Sequence, residues 1–379
     1  MTHRSSPTRA LLALFAGVVM LGVGVVEGNA QLVIRDLVVS GGASAEGYQG
    51  NLPSIGVPVR DSTNFASAAI GEVSVSADLA YPLGVGGSLD LTLDAGFRQF
   101  AAQGFTLNDY APRELVGTLD VQYSRTLGSR IGASARARLQ GRQVDDRPPM
   151  PLFLQPGFRA GEVALAASVR GPRDVVYDFQ VSGNRSDFLA PEFAPQIRLL
   201  NREAYRGEVG ATLASGGGSL RLFGGGEGSR FPKQDTFDST DPVRRDVTFH
   251  AGASWTYQAD YLVQAVLEGR ANRSNSLRPE YDALTLRGLF TASVAEGVAV
   301  SVYGALTAKQ YLHESRFARL LPGEEANSAS LAYVSVTRSL ARNLDGTLRM
   351  GWTRAETEIG GAYFQRFGGS FLLNYRPML

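Results

Sequence analysis

The residues able to do chemistry are few, and their spacing excludes more than it offers. The 379 residues include no Cys and 3 His, so disulfide scaffolds, thiolate metal sites, cysteine nucleophiles and haem attachment through C-x-x-C-H are ruled out. His250 and His313 are the histidines beyond the leader, and H-E-x-x-H does not occur. Asp246 precedes His250 by four positions on the same alternation phase, the arrangement a surface protease or lipase would exploit. A lone His near an Asp is a frequent accident, so the preferred reading is a polar wall residue. Asp235, Asp238 and Asp241 recur every third residue; hard cations take carboxylate oxygens, but this is not the spacing of a calcium loop, and a solvated loop is expected. The runs Gly216 to Gly218 and Gly224 to Gly226 lack G-x-G-x-x-G spacing and a following Lys, so they read as a turn and a strand segment. No catalytic, cofactor-binding or metal-ligating set is expected, and the chain is not read as an enzyme. With 37 Lys plus Arg against 36 Asp plus Glu, it lacks the basic surplus of a nucleic-acid binder.

What the chain has in abundance is charge at every second position. From Leu89 to Arg98 the apolar set Leu89, Leu91, Leu93, Ala95, Phe97 alternates with Asp90, Thr92, Asp94, Gly96, Arg98. That is a period of 2, hence a strand with one apolar and one polar face. Ile131 to Leu139 and Val247 to Tyr257 repeat the pattern. The polar phase of such runs carries Asp78, Asp90, Asp94, Arg98, Asp120, Arg136, Arg138, Arg142, Asp178, Arg206, Glu208, Glu268, Arg270, Arg287 and Arg349. Arg125 and Arg338 fall on the apolar phase, close to short turns, and Ala329 to Leu340 is ambiguous in phase.

Turn signals at Gly84 to Gly87, Gly128 to Arg130, Gly171 to Asp174, Gly216 to Gly218, Gln258 to Asp260, Ala295 to Gly297 and Ala341 to Asn343 recur about every 43 residues, a repeat that demands explanation. Longer polar or proline-bearing connections fall near 51–68, 101–112, 145–157, 188–201, 232–245, 274–281, 312–327 and 356–361. Seven short turns alternating with eight long loops require sixteen strands. A propeller has the same period, but its blades hold four short strands. Here each repeat has two runs of roughly 12 to 15 residues, enough to cross a bilayer at a tilt. The expected fold is all-β: a single antiparallel up-and-down transmembrane barrel of about 16 strands, with short periplasmic turns and longer extracellular loops.

Alternation alone does not say which face meets lipid. Three features do. Aromatic residues of the apolar phase gather near strand ends, with Tyr81, Tyr123, Tyr177, Tyr257, Tyr261 and Tyr375 by the short turns and Phe97, Tyr205, Phe249, Trp352 and Tyr363 by the long loops. The middle of that phase is often small, as at Ala133, Ala135, Gly207, Ala211 and Gly269, which suits fluid acyl chains better than a packed core. A basic side chain facing lipid at the midplane costs about 2 to 4 kcal/mol, so the charged phase must face the lumen.

Residues 1–30 read as a signal peptide: Arg4 and Arg9, an uncharged run from Ala10 to Val26, and Gly28-Asn29-Ala30 before the expected cut. The mature barrel is then 31–379. Near the C-terminus, Arg366-Phe367-Gly368-Gly369-Ser370-Phe371-Leu372-Leu373, followed on the same face by Tyr375, resembles the assembly signal of bacterial outer-membrane barrels. It departs by continuing to Arg376-Pro377-Met378-Leu379 rather than finishing on Phe. Leu37 to Gly47 is the expected first strand, closing the ring against the last.

By pattern the mature chain is similar to the porin-like barrel superfamily. The resemblance implies localisation in the bacterial outer membrane after export through the periplasm. It also implies outer-membrane lipid and the barrel-assembly machinery as partners, and commonly a homotrimer. The third long loop, with Asp145, Asp146 and Arg147 before Pro148, stands where porin-like barrels fold a constriction loop inward. Its carboxylates are candidates to oppose Arg136, Arg138 and Arg142; its length of about 14 residues favours an ordinary extracellular loop. The functional expectation is passive diffusion of small hydrophilic solutes through a lumen lined by the charged phase. The alternative is a structural or partner-holding barrel without free solute flux.

Overall fold

A computed structural model describes residues 32–50, 65–103, 111–145, 156–190, 195–236, 240–276, 280–312, 330–356 and 363–378. The signal-peptide reading of 1–30 lies outside these residues. The described chain forms sixteen antiparallel strands: β1 (Val33–Gly50), β2 (Phe65–Pro82), β3 (Gly87–Gln103), β4 (Arg113–Leu127), β5 (Ile131–Asp145), β6 (Gly157–Arg170), β7 (Val176–Leu189) and β8 (Arg202–Ser215). The second half comprises β9 (Gly218–Asp235), β10 (Val243–Gln258), β11 (Tyr261–Ser274), β12 (Tyr281–Ala295), β13 (Val298–Tyr311), β14 (Ser330–Ala341), β15 (Leu344–Glu356) and β16 (Tyr363–Tyr375). Each pairs with its neighbours in sequence, and β1 pairs with β16 from Val39↔Tyr375 to Gly50↔Phe364. The sheet is therefore a closed barrel without edges. The strand count and all seven turns agree with the sequence reading. β1 begins earlier than expected, at Val33, because the ladder with β2 continues through a register shift between Ile34 and Asp36.

The turns form where the backbone needs left-handed residues. Gly84, Gly86, Gly128, Gly216, Gly217 and Gly297 all have positive φ. In the β6–β7 connection Arg173 and Asp174 take φ 57° instead, within the 3₁₀ turn Pro172–Asp174. A second 3₁₀ segment, Pro195–Leu200, lies in the β7–β8 connection, where Ile197 and Leu200 pack with Phe188 and Ala190.

Because side chains alternate across a strand, register fixes the face of every residue at once. One face carries the exposed apolar residues, among them Val73, Leu139, Val163, Val209, Leu222, Leu286, Leu306, Leu348 and Met350. Aromatics on this face fall into two groups: Tyr177, Trp255, Tyr261 and Tyr375 beside the short turns, and Phe97, Tyr205, Phe249 and Phe367 toward the long loops. The other face carries the charged phase, and its ion pairs reach over intervening strands, as between Arg98 of β3 and Glu46 of β1. Side chains two strands apart converge only on the concave side of a curved sheet, so the charged face is the inner one. For 16 strands spaced about 4.8 Å apart and tilted about 40°, the backbone radius is about 16 Å.

The ambiguous segment is resolved by its neighbours. Val334 pairs with Val302 and Met350, and Val336 with Val300 and Leu348, which places them outward; Tyr333 pairs with Tyr303 and Gly351 and faces inward. Arg125 and Arg338 are outward, exposed and at the short-turn ends of β4 and β14.

Candidate functional site

The inward wall is organised into charge networks that run around the ring. In the first, Glu46 of β1 accepts from Tyr48, and Arg98 reaches Glu46 (3.2 Å), Glu72 (3.5 Å) and Glu114 (3.7 Å). Glu114 also pairs with Arg142 at 3.1 Å, and Arg366 of β16 pairs with Glu46 at 3.7 Å. Charges thus link six consecutive strands, from β16 through β5, across the seam where the first strand meets the last.

The second network depends on missing side chains. Arg221 Nε of β9 donates to Asp178 Oδ1 of β7 at 3.2 Å, over Gly210 of β8. A Cβ at Gly210 would lie 2.7 Å from Asp178 Oδ1 and 2.8 Å from Arg221 Nη2. Likewise His250 Nε2 of β10 lies 3.0 Å from Glu208 Oε2 of β8, over Gly225 of β9. There a Cβ would meet Gly207 O at 2.3 Å and His250 Cε1 at 2.8 Å. Glu208 accepts from Arg221 (2.9 Å) and Arg206 (2.5 Å) as well, and Arg206 Nη2 lies 3.0 Å from His250 Nε2.

The remaining charged positions are held locally. Asp120 takes a two-pronged contact from Arg136, with Nε donating to Oδ1 at 2.7 Å, and Arg138 stands 3.9 Å away. Glu268 pairs with Arg270 at 2.9 Å and Arg287 at 3.1 Å. Asp78 accepts from Thr92 and Asp94 from Ser76, both at 2.7 Å. Asp90 pairs with Arg35 at 2.7 Å, Arg35 being the residue at the β1 register shift. Arg349 packs its guanidinium over the Tyr333 ring at 5.0 Å. Between the charges run hydroxyl pairs, Thr285 with Thr307 (3.1 Å), Thr291 with Ser301 (2.9 Å) and Thr337 with Thr347 (3.0 Å).

All fifteen charged residues singled out from the sequence sit on this inner face. Of the third loop, Asp145 ends β5 in register with Arg113, while Asp146 and Arg147 lie outside the described residues. The arginines expected to face that loop are already engaged, Arg136 and Arg138 by Asp120 and Arg142 by Glu114.

A sixteen-strand closed ring, greasy outside and charged within, is built to stand in a bilayer. The architecture is that of a bacterial outer-membrane β-barrel. Solved structures of such barrels are similar to the chain along most of its length. A BenF-like porin from Pseudomonas fluorescens Pf-5 is 8% identical, with 94% of this chain and 100% of that chain covered and a TM-score of 0.42. A bacterial polysaccharide outer membrane secretin is 9% identical, covering 91% and 100%, with a TM-score of 0.41. The outer-membrane expressed OmpT of Vibrio cholerae is 10% identical, covering 93% and 99%, also at 0.41. At this identity the likeness carries no substrate or activity. No family model and no curated protein matches the sequence.

The barrel's inner wall corrects one sequence pairing and adds several. His250 does not meet Asp246, which instead binds Arg244 (2.6 Å) and Ser274 (2.6 Å). Four residues along a strand span about 13 Å, so sharing a face does not bring two side chains together. Among the described residues no group of three or more His, Asp or Glu could hold a metal ion. Asp241, of the acidic loop triplet, accepts from Asn275 at 3.0 Å, and Asp238 lies outside the described residues. Residues missed as candidates include Glu46, Glu114 and Arg366 of the seam, the pair Arg202 and Glu227, and the stacked Tyr303 and Tyr333. All but Tyr333, whose strand is mixed in phase, share the polar phase of their strands, which was the available signal.

Proposed function

We propose that the protein is an outer-membrane channel for passive diffusion of small hydrophilic solutes. The observation that carries this reading is where the inner charges spend their attraction. Ion pairs between described residues of the inner face join strands no more than two apart. With a backbone radius of about 16 Å and side chains reaching about 7 Å inward, such pairs leave the axis unbridged. A paired wall stays wetted at small desolvation cost, and hydroxyls between the charges give passing solutes hydrogen-bond partners of both kinds. The proposed lining is the set Asp78, Asp90, Asp94, Arg98, Asp120, Arg136, Arg138, Arg142, Asp178, Arg206, Glu208, Glu268, Arg270, Arg287 and Arg349.

Purified protein added to a planar lipid bilayer is expected to give discrete conductance steps, and liposomes containing it to swell in small sugars faster than in large ones. Absence of steps at every voltage, with the barrel folded, refutes the channel and favours a barrel closed or occupied by a partner.

A further inference from the structure

Mid-strand arginines of the inner wall are neutralised by carboxylates, with one exception. Arg98, Arg136, Arg138, Arg142, Arg206, Arg221, Arg270, Arg287 and Arg366 each lie within 4.0 Å of an Asp or Glu. Arg349, near the middle of β15, has no carboxylate partner among the described residues and is exposed. It lies against an aromatic stack: its guanidinium is 5.0 Å from the Tyr333 ring, which is itself stacked on Tyr303 at 5.3 Å and 25°. The stack orders the long side chain without consuming its hydrogen-bonding edge, because a guanidinium lying over a ring keeps its in-plane N–H groups free.

The space beside Arg349 is open. In register with Tyr333 stand Gly351 of β15 and Gly368 of β16; Gly368 is covered from β1 by Glu46, whose Cγ would lie 3.2 Å from a Cβ there, so the opening lies over Gly351. A Cβ at Gly351 would meet Ala332 O and Tyr333 Cβ at 3.5 Å, an ordinary contact. Packing therefore does not demand glycine there, unlike at Gly225. One step toward the short turns, Arg349 is flanked in register by Ser335 and Ser370. The result is a bay about one strand, or roughly 5 Å, wide. It has a free guanidinium and hydroxyls on one side, and the carboxylate level with it, Glu46 of β1, is engaged by Arg98 and Arg366.

We propose that this bay is a binding site for small hydroxy-carboxylates, with the carboxylate on the Arg349 fork and the solute hydroxyl on Ser335, Ser370 or Tyr333. The forked guanidinium matches a carboxylate in two parallel hydrogen bonds, which chloride or a neutral sugar does not offer. Access for the solute rests on the channel reading; binding itself does not. The test is saturation-transfer NMR of lactate against the detergent-solubilised full barrel. Transfer to the lactate methyl is expected for the wild type. The fitted affinity should fall about tenfold in Arg349→Gln. Gly351→Leu fills the bay without touching the charge and should lose binding comparably. Arg349→Lys, which keeps the charge without the fork, should fall between. Glycerol, with hydroxyls but no carboxylate, should show no transfer. Equal transfer in wild type and both Arg349→Gln and Gly351→Leu, at unchanged β-sheet circular dichroism, overturns the site, as does glycerol equal to lactate. A silent bilayer experiment removes the channel reading while lactate transfer still decides this one.

Discussion

Leu222→Arg tests the orientation of the whole barrel, because its cost is set by what the outer face touches. Leu222 lies on β9 between two aromatic levels, with Gly218 in register with Tyr257 and Gly228 with Tyr205. Ten residues at about 3.4 Å each, tilted about 40°, span about 26 Å along the membrane normal, close to the apolar band of such barrels. Leu222 is four residues from the lower level, about 10 Å, and so within about 3 Å of the midplane. An arginine there should cost about 2 to 4 kcal/mol, whereas Leu220→Arg, nearer the Trp255 level, should cost about 1 kcal/mol. If this face met water, both changes would stay within about 0.5 kcal/mol. Reversible folding into phospholipid bilayers across a urea series gives both numbers. A Leu222→Arg barrel as stable as the wild type, or a cost independent of depth, refutes the lipid-facing assignment and with it the inward placement of the charges.

The other perturbations probe the inner wall. Gly225→Val forces a branched side chain where even a Cβ would lie 2.3 Å from Gly207 O; a loss of about 3 kcal/mol, read from the urea midpoint, is expected. Arg221→Met strips Asp178 and Glu208 of a shared partner, and because Arg221 and Asp178 are about 30% exposed the loss should be held to about 1 kcal/mol by hydration. Glu46→Gln weakens the seam at three contacts, with Tyr48, Arg98 and Arg366, and should raise hydrogen exchange in β1 and β16 before the rest of the barrel.

The sequence was legible wherever one period sufficed. Strand number, turn positions and the facing of residues such as Asp94 and Arg138 follow from alternation, since a slip by one residue would turn a whole strand inside out. Two of the features that were not legible share a reason: both depend on neighbours far away in the chain. The phase of β14 is mixed within Tyr333, Val334, Val336 and Arg338, and only pairing with Val302 and Met350 decides it. Partner choice is equally non-local. Asp246 and His250 look coupled along the chain, yet His250 is committed to Glu208, 42 residues away and two strands over. Strand ends were short by several residues at β1 and β9, because ladders that leave the membrane continue with polar residues and lose the alternation that marks them.

The glycines of the inner wall explain how so many charges are held against the sheet. A salt bridge across one strand interval leaves each carboxylate with spare lone pairs, and a second cation must come from the next strand but one. An ordinary side chain between them would lift that cation toward the axis. At Gly210 and Gly225 the intervening position is empty, so Arg221 and His250 lie down against the sheet and reach Asp178 and Glu208 directly. The charges are thereby paired at the wall, and the interior field is short-ranged. Against that background Arg349, a guanidinium with no carboxylate partner among the described residues, is the position where, on the proposed channel reading, substitution should change which anions the lumen prefers.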